Sequence, residues 1–122
     1  MFVHIGMGVT DYAGSKNLFL KALEPLGVGI VMEGQHGLGI GSSGKPALWL
    51  FQTTEAPAPF HLAFAAENHQ QVRDFERAAM EAGGTDNGAP RMRGHFHPKY
   101  YGAFVIGPDS HNVEAVCLRP EG

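Results

Sequence analysis

His4-Ile5-Gly6-Met7-Gly8-Val9-Thr10-Asp11 and His61-Leu62-Ala63-Phe64-Ala65-Ala66-Glu67-Asn68 are two copies of one pattern. In each, a histidine opens a run of alternating large and small residues, and an Asp or Asn able to cap a helix follows seven positions on. Alternation marks a strand with two unlike faces, because successive side chains point opposite ways. On that reading His4 shares a face with Gly6 and Gly8, while Val3, Ile5, Met7 and Val9 take the other. His61 is joined by Ala63 and Ala65, opposite Phe60, Leu62, Phe64 and Ala66. The apolar faces are built to pack on helices. The histidine faces lack bulk, and two such strands related by a repeat point to one shared cavity.

The residues after each strand extend the repeat. Phe19, Ala22, Leu23 and Leu26 fall at i, i+3, i+4 and i+7, which predicts an amphipathic helix ending at Gly27. Val72, Phe75, Ala79 and Ala82 make a similar stripe ending at Gly83-Gly84. Asp11 or Thr10, and Asn68, supply oxygens for the free N–H groups of the first turns. Strands are predicted at Val28–Met32, Leu38–Ile40 and Ala47–Phe51 in the first half. The second half has a weak candidate at Pro90–Arg93, then Tyr100–Ile106 and Asn112–Leu118. Each half reads β-α-β-β-β, and the segment Glu55-Ala56-Pro57-Ala58-Pro59 separates them. The expectation is an α+β fold, one domain over residues 1–122, with modules at about 1–54 and 58–119.

Composition narrows the classes. The chain of 122 residues is long enough to bury a core, and its 43% hydrophobic content is ordinary for a globular protein. No apolar run reaches the ~18 residues of a membrane span, and no basic-then-apolar leader pattern opens the sequence. A formal net charge of −3 without a Lys/Arg stripe argues against nucleic acid or a membrane surface as partner. The single cysteine, Cys117, has no internal disulfide partner, which fits a reducing cytoplasm.

Four pieces in order resemble the vicinal oxygen chelate superfamily, which includes glyoxalase I, extradiol dioxygenases and the fosfomycin and bleomycin resistance proteins. They are the His4 to Asp11 opening, His61-Leu62-Ala63-Phe64, Tyr101-Gly102-Ala103-Phe104-Val105, and Gly107-Pro108-Asp109-Ser110-His111-Asn112-Val113-Glu114-Ala115-Val116. The last is similar to the family's Asp-Pro-Asp-Gly-Asn-x-hydrophobic-Glu ending. The resemblance covers nearly the whole chain. It implies paired βαβββ modules whose mixed and antiparallel strands curl into a cup around one divalent metal, with His4, His61 and Glu114 as its ligands. Two imidazoles and a carboxylate suit borderline first-row ions such as Fe²⁺, Mn²⁺, Zn²⁺ or Ni²⁺, and leave positions open for water or substrate oxygens. On the last strand Glu114 shares its face with Val116 and Leu118, and a carboxylate among apolar residues is costly unless paired or metal-bound. The plain alternative is an exposed Glu114 and two hydrogen-bonded core histidines.

The sequence departs from the glyoxalase pattern in one place. The strand expected to give a fourth ligand reads Ala47-Leu48-Trp49-Leu50-Phe51-Gln52, and its inward residues are Trp49 and Phe51. Gln52 reaches the metal only if the register slips by one, which turns the strand over. Three ligands resemble the dioxygenase branch more closely. Trp49 and Phe51 are either core or a wall for a flat substrate.

A second cluster, His95-Phe96-His97-Pro98-Lys99-Tyr100-Tyr101, precedes the strand carrying Phe104. His95, His97 and Tyr101 are candidate proton donors, acceptors or oxygen-orienting groups over the cup, and Tyr100 and Arg93 candidate pocket residues. The alternative is a solvated loop with one tyrosine packed. His36 and His69 read as surface residues, His111 as structural or exposed, and Cys117 as a buried small hydrophobe. The expected activity is metal-dependent lyase or isomerase chemistry, ring-cleaving dioxygenation or epoxide opening on a small substrate chelated through adjacent oxygens. A metal-free, antibiotic-type sequestering protein and a protein whose metal is only structural are the other classes. The resemblance implies a homodimer, with the cup closed within one chain or across two.

Overall fold

The computed structural model describes residues 1–120. Its first half runs β1 (Ile5–Val9), α1 (Tyr12–Leu23), β2 (Gly29–Gly34), β3 (Gly37–Ser42) and β4 (Lys45–Gln52). The second runs β5 (His61–Ala65), α2 (His69–Glu81), β6 (Thr85–Met92), β7 (Tyr101–Ile106) and β8 (Asn112–Cys117). The strands make two four-stranded mixed sheets, ordered β1-β4-β3-β2 and β5-β8-β7-β6. In each, the first strand pairs in parallel with the last and the other pairings are antiparallel. Neither sheet closes into a barrel, and β1 and β5 are edge strands. No described helix is long and apolar enough to cross a membrane.

The two helices start where the sequence places them. Asp11 accepts from the Gly14 N–H at 3.0 Å and Asn68 from the Gln71 N–H at 2.8 Å. A 3-10 turn at Glu24–Leu26 extends the first helix to Gly27, whose φ of 80° is the left-handed stop. Leu18, Phe19, Ala22 and Leu23 of α1 and Val72, Phe75 and Ala79 of α2 are buried. They pack with Met7, Val9, Leu38, Leu50, Ala103, Val105, Val113, Ala115 and Cys117 into one hydrophobic cluster drawn from both halves. The helices therefore back onto the apolar faces of both sheets, leaving the histidine faces open.

Strand β6 is longer than the sequence indicates, because Gly88 and Pro90 interrupt a run that has no hydrophobic alternation. Two register shifts against β7, between Asp86 and Gly88 and between Gly88 and Arg91, absorb them. Pro46 enters β4 beside a similar shift between Ile40 and Gly41. His69, expected on the surface, is 5% exposed and lies flat on Tyr101 with centroids 4.0 Å apart and planes 9° apart. Its place in the first turn of α2 turns it toward β7 rather than solvent.

The halves are joined by a polar clasp. His111, 1% exposed, accepts from the Phe60 N–H at Nδ1 (2.9 Å) and donates from Nε2 to the Gly8 carbonyl (3.2 Å). Asp109 accepts from the Thr10 N–H and hydroxyl at 2.8 and 2.6 Å. One short turn thus ties the start of β8 to the entry of β5 and the end of β1. Replacing His111 strands two backbone groups, each worth about 1–3 kcal/mol when buried without a partner. His111→Ala is therefore expected to lower the unfolding free energy by about 2–4 kcal/mol. An unchanged urea midpoint would show that the clasp adds nothing.

A second polar group lies at the β2 edge, where Glu33 accepts from Lys16 and from the Tyr12 hydroxyl. Burial first, then the bond and charge of Glu33, push the Tyr12 phenol from 10.0 up to about 12. The raised value means this contribution to stability is held below pH 10 and lost as pH climbs toward 12. In an alkaline absorbance titration, Glu33→Gln is expected to bring the late phenol back part of the way toward 10.0.

Candidate metal and substrate site

Glu114 sits mid-strand in β8, between β5 and β7. Val113, Ala115 and Cys117, all wholly buried, point to the helices, so Glu114 points to the open side with Asn112 and Val116. The register sets it beside Ala63 on β5 and Phe104 on β7. His61, two residues before Ala63, reaches it with Nε2 2.7 Å from Oε1. The Tyr100 hydroxyl donates to Oε2. Gly102 clears that path, since a Cβ there would lie 2.9 Å from the Tyr100 ring and 3.5 Å from Oε2. The carboxylate, 1% exposed, is thus held between an imidazole and a phenol.

Around this pair the packing is aromatic and cationic. The Phe104 ring lies 5.8 Å from that of His61, and the Arg93 guanidinium 4.8 Å from the Phe104 centroid. Arg93 is 6% exposed and donates to the carbonyls of Gly102 and Ala89 at 3.2 and 2.8 Å. Burial lifts the Glu114 carboxyl above its usual range, against the bond and charge of His61 and the charge of Arg93. Desolvation wins. His61 and Glu114 bring together one nitrogen and one carboxylate donor, ligand types that first-row divalent ions accept.

Next to Glu114, small residues leave a cavity of about 380 Å³ lined by Ala63, Ala65, Ala66, Glu67, Val116, Leu118 and Arg119. The missing bulk on β5 leaves this space, although neither His61 nor Glu114 lines it and β1 takes no part in it. On β1 the missing bulk leaves none: the Phe51 ring would lie 3.5 Å from a Cβ at Gly6 and 3.6 Å from one at Gly8. The glycines there seat an aromatic ring, which is 40% exposed.

The predicted site residues are divided among several places. His61 and Glu114 meet, whereas His4 lies edge-on to Trp49, centroids 6.4 Å apart. Among the described residues no three His, Cys, Asp or Glu side chains are grouped to hold a metal. Tyr101 lies on the helix side of β7, against His69 and within 3.4 Å of Arg73, so Tyr100 is the tyrosine at Glu114. His95 packs on Phe96, and His97 accepts from the Lys99 N–H; both are exposed loop residues. Arg93, a candidate pocket residue, is buried with its guanidinium over the Phe104 ring. Gln52 bonds the Thr10 and Thr53 carbonyls and the Tyr12 N–H, so it anchors the start of α1. Asn112 has no place among the predicted residues, although its side-chain oxygen is buried without a hydrogen bond on the Glu114 face.

Solved structures place the fold. A glyoxalase/bleomycin resistance protein from Albidiferax ferrireducens T118 matches with a TM-score of 0.77 and 29% identity, over 98% of this chain and 99% of that one. A glyoxalase/bleomycin resistance protein/dioxygenase family enzyme from Burkholderia phytofirmans PsJN gives 0.73 at 14% identity, covering 96% and 98%. The oxidase ChaP-H2 gives 0.68 at 20% identity, covering 100% and 96%. No family model and no curated protein matches the sequence. The chain has the glyoxalase-like fold of the vicinal oxygen chelate superfamily, as its motifs imply.

The raised Glu114 carboxyl has a measurable consequence. In metal-free protein the folded state keeps this proton to higher pH than the unfolded chain does, whose carboxyl titrates near 4.5. Stability is therefore expected to fall as pH rises from about 4.5 through the folded value. Glu114→Gln removes that titration, and its urea midpoint should decline less over the same range. Parallel profiles for the two proteins would contradict the assignment.

Proposed function

We propose that this protein is a divalent-metal-dependent enzyme of the glyoxalase and dioxygenase type, a lyase or isomerase or a ring-cleaving dioxygenase. Its substrate is a small molecule that chelates the metal through two adjacent oxygens. The observation that carries the reading is the contact of His61 Nε2 with a Glu114 carboxylate 1% exposed, beside a cavity of small residues. The donor chemistry fits Fe²⁺, Mn²⁺, Zn²⁺ or Ni²⁺. When bound, such an ion supplies Lewis acidity toward substrate oxygens.

The chain's own residues do the rest. Glu114 and His61 hold the ion from one sheet. Tyr100 keeps the second carboxylate oxygen in place by donating to it. This reading takes the same hydroxyl as the candidate proton donor. Ala63, Ala65, Val116 and Leu118 seat the apolar part of the substrate, with Arg119 at the rim for a negative group. His4 stands apart from His61 and Glu114 within one chain. The reading therefore takes the third ligand from a second copy, in a homodimer that completes the cup across two chains. A buried, unpaired Cys117 is compatible with a reducing cytoplasm.

Metal content by plasma mass spectrometry tests the proposal. Near-stoichiometric divalent metal is expected in the parent, lost in His61→Ala and Glu114→Ala and reduced in His4→Ala, with a dimer in sedimentation equilibrium. A parent that stays empty after anaerobic incubation with Fe²⁺, Mn²⁺, Ni²⁺ and Zn²⁺ would sink the enzyme reading and favour a binding cup.

A further inference from the structure

The hollow beside β5 and β8 combines an apolar surface with two opposite charges. Ala63, Ala65, Val116 and Leu118 line a space of about 380 Å³ together with Glu67 and Arg119. Pockets that take small molecules run to about 300–1,000 Å³ and are mostly apolar, with a few placed polar groups. The charges follow the ends of two paired strands, Glu67 after β5 and Arg119 after β8.

Both charged residues have tethered backbones. The Glu67 N–H donates to Gln71 Oε1 of α2 at 2.7 Å. The Arg119 N–H donates to Cys117 Sγ at 3.4 Å, and its carbonyl accepts from His69 Nε2 at 3.3 Å. His69 and Cys117 are both buried, and His69 lies flat against Tyr101. A segment past the last strand, of the kind that frays unless tied down, is therefore anchored to the core from behind. The Glu67 carboxylate and the Arg119 guanidinium, by contrast, make no ion pair among the described residues, with each other or with a third group.

A ligand with only an acid group would be attracted by Arg119 and repelled by Glu67, and one with only an amine the reverse. A ligand with both charges satisfies the two at once. In an α-amino acid the two charged groups share one carbon and the side chain leaves it in a third direction, which matches two unlike charges beside an apolar surface. We propose that the hollow binds the α-amino acid group of a small molecule with an apolar side chain. Its carboxylate lies on Arg119, its ammonium on Glu67, and its side chain on Ala63, Ala65, Val116 and Leu118. This deepens the reading above by naming the class of substrate, and rests on that reading for the hollow as the substrate's seat. The recognition itself involves no metal.

The test titrates full-length ¹⁵N-labelled protein with norleucine, and with hexanoate and pentylamine, which are norleucine without its amine and without its carboxylate. Norleucine is expected to shift the amide signals of Ala65, Ala66 and Val116, and to bind about 10-fold more tightly than either single-charge probe. Arg119→Met should weaken norleucine about 10-fold and leave pentylamine as tight or tighter. Glu67→Gln should weaken norleucine as much and leave hexanoate as tight or tighter. The proposal is overturned if norleucine shifts none of these signals, if either single-charge probe binds the parent as tightly, or if either variant binds norleucine like the parent. Metal content is measured on the same protein. Stoichiometric metal without norleucine binding at the hollow overturns this inference alone. A parent that takes up no metal but shows the expected norleucine pattern keeps the amino-acid site and overturns the enzyme reading.

Discussion

The parallel pairing of β5 with β8 is the constraint on which the site depends. It sets His61 beside Asn112 and Ala63 beside Glu114, and β7 brings Phe104 to the other side of Glu114. With only apolar side chains on the helix side of β8, the carboxylate has one direction left, toward the open face. There it must find donors within the strands that flank it. His61 and Tyr100 are those donors. The site follows from the register, and the register follows from a strand that is apolar on alternate residues.

The first half repeats the architecture without repeating the chemistry. β1 pairs with β4 as β5 does with β8, and Gly39 and Gly6 lie under Trp49 and Phe51 where the second half has room. The open face of the first sheet is therefore aromatic, and that of the second is polar beside a hollow. Gln52, which ends β4, is committed to α1 and the end of β1. The repeat has become a division of labour between a wall and a carboxylate centre.

Much of this is legible in the sequence, and the exceptions share a cause. The helices, their caps and the β-α-β-β-β order come from local periodicity and capping chemistry, which act within a few residues. That Tyr100 and Tyr101 point opposite ways is also local, since neighbouring residues of an extended segment alternate. Which of those faces belongs to Glu114 is a question of register between β7 and β8, and no local pattern holds that information. His69 looks like a surface residue, and His111 could be structural or exposed, until the chain folds back on them, since their partners are 50 residues away at Arg119 and 103 away at Gly8. Strand β6 shows only as the weak candidate at Pro90–Arg93, because its bulges break the alternation that identifies the others.

The clasp at Asp109 and His111 bears on how the two halves communicate. It spans the turn that leads directly into Asn112 and Glu114, and its other end grips the backbone of β1 at Gly8 and Thr10. Its carboxylate is committed to the first half, and its imidazole to both the first half and the entry of β5. One turn thereby fixes the head of β8 against the backbones of both edge strands.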